Sequence, residues 1–331
     1  MSRAYDNAAD ARFQQGGRRN LIINGAMQVA QRGTSFSSAD PDDYSLDRWY
    51  VNTSGATSTT TQETLTVGQT DIPSPFTKYL RLAVTTGNNF CGIRQRIENV
   101  QSISNEDVVI SFYAKGTNPG GGTVGLRVRQ NFGSGGSTEV TVSIPTFTLT
   151  SSWQRFTQVV SLPSISGKTV GTSSYIEIFF HQLEGDTSTD AWTLDITGVQ
   201  LEQGNVATPF EHRSYGEELA LCQRYFCKIK HDGSYRNNIC LICNHNDVTH
   251  YGIYHFPVTM RSAPTGTVLT GTYRAYPGGA STNFSESAVS MNIFSPESVR
   301  VGLASSGGAV GDASWLECYL SGAGLLFDAE L

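Results

Sequence analysis

Charged residues are scarce in this sequence: they make up 16% of its 331 residues, against roughly 25% in a typical globular chain. Only one stretch has the pattern of a helix, which excludes most α/β enzyme folds, because these need repeated helical crossovers. No run of about 18 apolar residues is present, so no membrane-inserted helix is expected. The first residues contain no hydrophobic signal region, and we expect no export by the usual route.

A basic surface is also lacking. The net charge is −6, and only residues 1–20, with four Arg and two Asp, are basic on balance. Without a basic stripe on which a phosphate backbone could lie, nucleic-acid binding is not expected. The six cysteines, in a chain made in a reducing cytosol, are expected to be free thiols.

Short alternating segments dominate residues 21–213. Within 107–115, Val108 and Ile110 point to one face and Val109 and Ser111 to the other. Residues 20–36 have the pattern of a hairpin with a turn at Asn24-Gly25. Further strand-like segments are 48–52, 78–84, 91–98, 123–132, 138–145, 154–162, 175–183 and 192–202. Many short strands separated by turn residues predict a jelly-roll β-sandwich.

Residues 214–227 have the pattern of a linking helix. Ser214 and Glu217 have the spacing of a capping box, which satisfies backbone donors at a helix start. Leu219, Cys222 and Phe226 recur at the spacing of one helix face. A short isolated helix is marginal in water, so this face must pack against its own sandwich or against the same helix of neighbouring chains.

Residues 228–331 predict a second, smaller β-sandwich. Its strand-like segments are 238–244, 251–260, 266–276, 288–294, 298–305 and 314–322, separated by Gly- and Ser-rich loops. Residues 1–20 are polar and cannot build a core. They are either a disordered tail or an attachment arm that orders on a partner. The predicted fold class is therefore all-β, with two sandwiches joined by one helix.

Two patterns resemble metal sites, and neither predicts one. Cys240 and Cys243 have C-x-x-C spacing, but on a strand residues three apart point to opposite faces, so zinc is not expected. Four acidic residues cluster early in the chain: Asp40, Asp42, Asp43 and Asp47. They lack the regular spacing of a calcium loop, and a solvated loop is favoured. No cofactor is indicated.

Catalytic patterns are equally absent. The six histidines are scattered, and no G-x-S-x-G elbow is present. Glycoside hydrolysis requires two carboxylates across a cleft, and the sequence alone pairs none. We therefore expect a protein that is not an enzyme.

Aromatic residues give the candidate ligand site. Three tryptophans lie among alternating apolar positions and are predicted to be core: Trp49, Trp153 and Trp192. Residues 272–279 differ, because Tyr273, Arg274 and Tyr276 lie beside a Pro-Gly-Gly turn. Exposed aromatics with a planar donor at a loop tip suit a polar ligand. These three residues are the candidate receptor-binding residues, and packing or an interface is the alternative.

Two long segments resemble a known family. NLIINGAMQVAQRGTSF, followed by YSLDRWYV, is similar to the opening of a module found in bacteriophage tail fibres. TGVQLEQGNVATPFEHRSYGEELALCQRYF is similar to the junction that ends this module, and MSRAYDN to the start of such fibre proteins. The resemblance covers residues 1–230.

This resemblance implies a jelly-roll domain similar to carbohydrate-binding modules, a homotrimer, and attachment to a host surface, and it transfers no catalytic residues to this sequence. The chain is then expected to be a virion protein of the phage tail, made in the host bacterial cytoplasm, that recognises a surface glycan. Residues 1–20 would dock to a tail or baseplate protein, and residues 228–331 would carry the receptor site. The trimer axis would pass near Leu219, Cys222 and Phe226. The alternatives are a purely structural fibre or decoration protein and, ranked last, a polysaccharide depolymerase.

Overall fold

The computed structural model describes residues 18–38, 43–73, 75–86, 90–120, 122–143, 145–182, 190–231, 233, 236–246, 248–305 and 309–331. The chain divides into two compact units, Met1–Glu218 with Leu331, and Leu219–Glu330. The attachment arm expected in residues 1–20 lies outside the described residues, except for its last three. In the described part, no helix is long and apolar enough to cross a membrane.

Antiparallel strands build the first unit. They are β1 (Ser35–Ser38), β2 (Asp43–Tyr44), β3 (Tyr50–Ser54), β4 (Thr57–Thr64), β5 (Lys78–Thr86), β6 (Phe90–Glu98), β7 (Glu106–Thr117), β8 (Val124–Asn131), β9 (Val140–Ser143), β10 (Thr146–Phe147), β11 (Gln154–Leu162), β12 (Tyr175–Gln182) and β13 (Trp192–Gln203). One sheet has the order β1-β4-β5-β13-β7-β11. The other has the order β10-β8-β12-β6-β3-β2, with β9 paired to β8.

The main core is formed by residues of both sheets. In β7, Val108, Ile110 and Phe112 belong to this core, and in β12, Ile178 and Phe180 do. The alternation predicted for residues 107–115 is thus confirmed, and so is the jelly-roll sandwich. Trp49 and Trp192 are buried in the same core, as expected. Trp153 is buried in a smaller cluster together with Tyr79.

The hairpin predicted at residues 20–36 is wrong. Residues 21–34 form no strand. Asn24 has a positive φ of 58°, and its amide group bonds the backbone of Val29 through both its nitrogen (2.8 Å) and its oxygen (2.9 Å). The backbone of this segment is instead hydrogen-bonded to β13. Leu21 N donates to Leu201 O, and Val199 N donates to Gly25 O. Asn24-Gly25 is therefore a buried anchor and not a surface turn.

The linking helix is shorter than predicted. Helix α1 spans Tyr215–Gln223, and the boundary between the two units falls inside it. The capping box is present: Ser214 N donates to Glu217 Oε2 at 3.0 Å, and Glu217 N donates to Ser214 Oγ at 3.3 Å. The helix ends early because Phe226 begins a strand and pairs with Asp328. Phe226 therefore does not share a helix face with Leu219.

The second unit is a smaller sandwich. Its strands are β14 (Phe226–Lys230), β15 (Asn237–Asn246), β16 (Thr249–His255), β17 (Thr265–Leu269), β18 (Thr272–Ala275), β19 (Thr282–Ser285), β20 (Val289–Phe294), β21 (Ser298–Ala304), β22 (Ala313–Cys318) and β23 (Gly324–Asp328). A sheet of order β14-β23-β17 accompanies a seven-stranded sheet of order β19-β18-β22-β15-β16-β21-β20. Two single-turn 3-10 helices, Pro277–Gly279 and Glu286–Ala288, flank β19. The core includes Ile242, Leu316 and Phe327.

Candidate functional site

Tyr273 is not a surface residue, which corrects the expectation from the sequence. It lies in β18, where side chains alternate between the two faces, and its side chain is fully buried. Its hydroxyl lies 2.8 Å from the carbonyl oxygens of both Leu269 and Gly324. Burial raises the pKa of Tyr273 to about 12. Tyr273 is a core residue that ties β18 to β23.

Arg274 and Tyr276, the other two candidates, lie on the opposite, outer face of this sheet. Arg274 pairs with Glu317 across β18 and β22, and its Nε is 3.9 Å from Glu317 Oε1. The Tyr276 hydroxyl is 3.5 Å from the same oxygen. The Arg274 guanidinium carbon lies 3.1 Å from the ring centroid of Tyr319. The structure therefore brings two of the three predicted residues together around one carboxylate.

Two further side chains complete this cluster. Arg236 contacts Glu317 Oε1 at 3.9 Å through Nη1 and lies 4.6 Å from the Tyr319 ring centroid. Trp315 is two residues before Glu317 on β22, so it shares the same face, and it is 51% exposed. We call this group the aromatic–arginine surface: Arg236, Arg274, Tyr276, Trp315, Glu317 and Tyr319.

Apolar side chains extend the same face beyond Trp315. Leu241 is its direct partner on β15 and is 52% exposed, and Ile253 on β16 is 57% exposed. Beyond these residues, and outside the aromatic–arginine surface, the guanidinium of Arg300 lies over the Tyr251 ring at 4.4 Å. The outer face of the seven-stranded sheet around Trp315 thus combines a half-exposed tryptophan, aliphatic neighbours and polar side chains held by ion-pair and ring contacts.

A second cluster of arginines, in the first unit, is structural. The Glu177 carboxylate is 2.7 Å from Arg129 Nη2 and 3.1 Å from Arg94 Nη1. Arg96 and Arg127 lie at 3.8 and 3.7 Å. Glu177 is fully buried, so the carboxylate itself is out of reach of a ligand. Cross-strand ion pairs of this kind tie β12 to β6 and β8.

The patterns that resembled metal sites are placed as follows. Cys240 packs against the core and Cys243 is exposed, in keeping with a strand whose neighbouring positions face opposite ways. Asp40 and Asp42 lie outside the described residues. Asp47 is not part of a solvated loop, because it is buried and accepts hydrogen bonds from Gln31 N at 2.6 Å and Gln31 Nε2 at 2.5 Å.

The residues expected at a trimer axis do not form one stripe. Leu219 is half-buried on α1. Cys222 is fully buried and Phe226 is 4% exposed within a single chain. Side chains buried in one chain are not available to a neighbouring copy, so the axial stripe predicted from the sequence is wrong for Cys222 and Phe226.

Comparison with known proteins gives partial likenesses of fold. No family model matches the chain, and no curated protein matches it. The structural neighbours are carbohydrate-binding modules and related β-sandwich domains. The N-terminal cellulose-binding domain of Cellulomonas fimi β-1,4-glucanase C is 19% identical, with 48% of this chain and 90% of that chain covered and a TM-score of 0.32.

Two other solved structures have similar TM-scores. A putative sugar binding protein from Bacteroides thetaiotaomicron is 11% identical, with 56% of this chain and 100% of that chain covered and a TM-score of 0.35. The enzymatically active domain of bacteriophage CBA120 tailspike protein 4 is 14% identical, with 56% of this chain and 21% of that chain covered and a TM-score of 0.35. Likenesses this low carry no argument about activity.

The residues that sequence patterns missed had a recognisable signal. In SWLECYLSG, Trp315, Glu317 and Tyr319 alternate with Leu316 and Cys318. Since Leu316 and Cys318 are buried in the core, the alternating set faces outward. A tryptophan on the same side of a strand as a glutamate is predicted to be exposed. Arg236 gave no such signal, because it lies before the first residue of β15.

Proposed function

We propose that this chain is a host-attachment protein, a trimeric bacteriophage tail-fibre subunit of the virion that recognises a bacterial surface glycan. One observation carries the glycan assignment. Trp315 is half-exposed on the same face of the sheet as Arg274 and Glu317, whose side chains form an ion pair. A pyranose ring presents C–H groups to an aromatic face, and its hydroxyls pair with polar side chains around that face. The resemblance of the opening and junction segments to tail-fibre modules supports the place in a tail, with residues 1–20 as the docking arm.

Binding without turnover is part of the proposal. Hydrolysis of a glycosidic bond uses two carboxyl groups on either side of the bond. The six residues of the aromatic–arginine surface include one carboxylate, Glu317, and this group is 7% exposed and contacted by two guanidinium groups. A carboxylate held in this way positions arginines for a ligand. Polysaccharide that keeps its length after incubation with the protein is the expected outcome, and new reducing ends would contradict it.

The test of glycan binding replaces Trp315. We expect Trp315→Ala to weaken binding to a bacterial surface-glycan array and to host cells by about tenfold or more, because central aromatic anchors dominate interface energetics. Tyr215→Ala is the matched control, since Tyr215 is an aromatic residue of α1 with 55% exposure, and it should bind like the unaltered protein. A wild-type protein that binds no glycan on the array and no host cell would favour the purely structural fibre instead.

A further inference from the structure

The aromatic–arginine surface carries more positive than negative charge. Arg236 Nη1 and Arg274 Nε both lie 3.9 Å from the same oxygen of Glu317. Two guanidinium groups therefore share one carboxylate. At 3.9 Å neither contact is a hydrogen bond. Arg274 Nε donates to Asn283 Oδ1 at 3.2 Å, so Arg274 is fixed within the sheet. Among the six residues of this surface the guanidinium groups outnumber the carboxylates by one, and such a surface favours a ligand with a negative charge.

The most exposed charged side chain of this surface is an arginine. The side chain of Arg274 is 15% exposed and that of Glu317 is 9% exposed, whereas the side chain of Arg236 is 51% exposed. Arg236 is nevertheless fixed in direction, because its guanidinium group lies 4.6 Å from the centre of the Tyr319 ring. Stacking on an aromatic face holds an arginine without using its hydrogen-bond donors. Arg236 is therefore the group that an incoming anion meets first.

The platform for a sugar ring lies next to this charge. Tyr276 N donates to Ser314 Oγ at 2.7 Å, so the chain after β18 still runs beside β22. Tyr276 thus lies beside the part of β22 that contains Ser314 and Trp315, two residues beyond the pair of Arg274 and Glu317. One end of the surface is aromatic and the other is cationic, across a span of two residues on β22.

We infer that this surface selects an acidic saccharide, in which the pyranose ring lies against Trp315 and a carboxylate or sulfate group pairs with Arg236. The inference rests on the proposed glycan recognition and adds the class of glycan. A bidentate pair between a guanidinium group and a carboxylate or sulfate is directional. It explains why an arginine is presented at the rim of the surface.

The test uses matched pairs of oligosaccharides. One pair contains a uronic acid and its carboxyl-reduced counterpart, and the other contains a sulfated sugar and its desulfated counterpart. We expect the full-length protein to bind the acidic member of at least one pair about tenfold more tightly than its neutral partner in calorimetry. Arg236→Met should remove this preference and leave the affinity for the neutral member unchanged. Trp315→Ala should weaken binding to both members.

Arg300→Met is the matched control. Arg300 lies on β21 of the same sheet and is held by Asn292 at 2.6 Å, three strands from β22. Its replacement removes the same charge and should leave the preference intact. Equal binding of acidic and neutral members by the wild-type protein, or a preference that survives in Arg236→Met, would overturn the inference while glycan recognition stands. No binding to any member would remove the proposed function itself. An oligomer that dissociates in Trp315→Ala would place a second copy on this surface and would also overturn the inference.

Discussion

Cys243 is the most accessible of the six thiols. It is exposed, Cys240 is partly exposed, and the other four are buried. Burial raises the pKa of Cys91 and Cys240 to about 11 and that of Cys227 and Cys318 to about 12. Because the thiolate is the reactive form, we predict one fast-reacting thiol in the folded protein at about pH 8.

Ellman's reagent measures this directly. The fast phase should disappear in Cys243→Ser and persist in Cys240→Ser, and unfolding should release all six thiols. Two or more fast thiols in the native protein would show that the inward face of β15 is open to solvent. That result would contradict the strand assignment around Cys240.

We expect His250 to make the stability of the protein depend on pH. It is 1% exposed, its Nδ1 is 3.2 Å from Ser305 Oγ, and burial lowers its pKa. Below an unfolded pKa of about 6.5, the unfolded chain binds a proton that the folded chain resists. We therefore predict that the free energy of unfolding falls as the pH drops from the unfolded value through the lowered folded pKa.

Urea unfolding at several pH values between about 7.5 and 5 checks this prediction. His250→Gln should be less sensitive to pH in this window than the unaltered protein. His255→Gln, at an exposed position of the same strand, should keep the full dependence. Identical slopes for His250→Gln and the unaltered protein would show that other groups cause the pH effect.

At the residue scale, the burial of a side chain was predictable where it was judged from the alternation of inward and outward positions along a strand. Burial of Trp49 and Trp192 followed from their apolar neighbours, and this was predictable. Tyr273 was assigned to a loop because a Pro-Gly-Gly turn follows it. The strand β18 continues up to Ala275, and its alternation places Tyr273 inward and Arg274 outward. Turn residues mark where a strand ends, and they do not decide which way the preceding side chains point.

At the level of elements, the packing of the chain start against β13 is open to a direct test. A Cβ atom added at Gly25 would lie 2.2 Å from Val199 O, so the backbone has to shift. We predict that Gly25→Ala destabilises the protein by about 1–3 kcal/mol. Gly216→Ala is the control, since a Cβ atom there has open space, and in α1 it should gain up to about 1 kcal/mol. Chemical denaturation compares the two, and equal stability would refute the close packing at Gly25.

Strands with apolar alternation were found from the sequence, and strands without it were missed. Residues 154–162 match β11 from end to end, because its apolar residues alternate with polar ones. Strand β4 consists of TSTTTQET and has no apolar residue, although Ser58 and Thr60 are buried. Its burial is decided by pairing with β1 and β5, which are tertiary contacts that no local pattern records.

The irregular chain start was unpredictable for a related reason. The sequence Asn24-Gly25 is typical of a hairpin turn. Here the side-chain amide of Asn24 is hydrogen-bonded to the backbone of Val29. The backbone carbonyl of Gly25 accepts a hydrogen bond from Val199 N in β13. Val199 is more than 170 residues away from Gly25 in the sequence. Local propensity cannot weigh such contacts against a hairpin.

For the whole molecule, fold class and the number of sandwiches followed from composition and pattern, whereas the aromatic–arginine surface followed only in part. Two of its six residues, Arg274 and Tyr276, were identified from the sequence. The others are contributed by β22 and its flank and by the residue before β15, and they meet only when the strand order β18-β22-β15 is known. The alternation along one strand predicts the face on which a side chain lies. The residues of other strands that lie next to it depend on the order of the strands in the sheet.

Oligomerisation is the last prediction, and it follows from the proposed attachment role. One small, open surface with a single exposed tryptophan supplies limited contact area, so a single chain should bind its glycan weakly. Linking three such sites raises the strength of attachment to a dense surface by about a hundredfold or more, without any new contact. We therefore predict a homotrimer that binds a densely coated glycan surface far more tightly than it binds the same glycan free in solution. Light scattering at micromolar concentration measures the first part, and surface binding at high and low glycan density measures the second. A mass of one chain would contradict the trimer. A trimer whose attachment does not change with glycan density would show that its three sites cannot reach one surface together, and the aromatic–arginine surface would then not serve for attachment to a host.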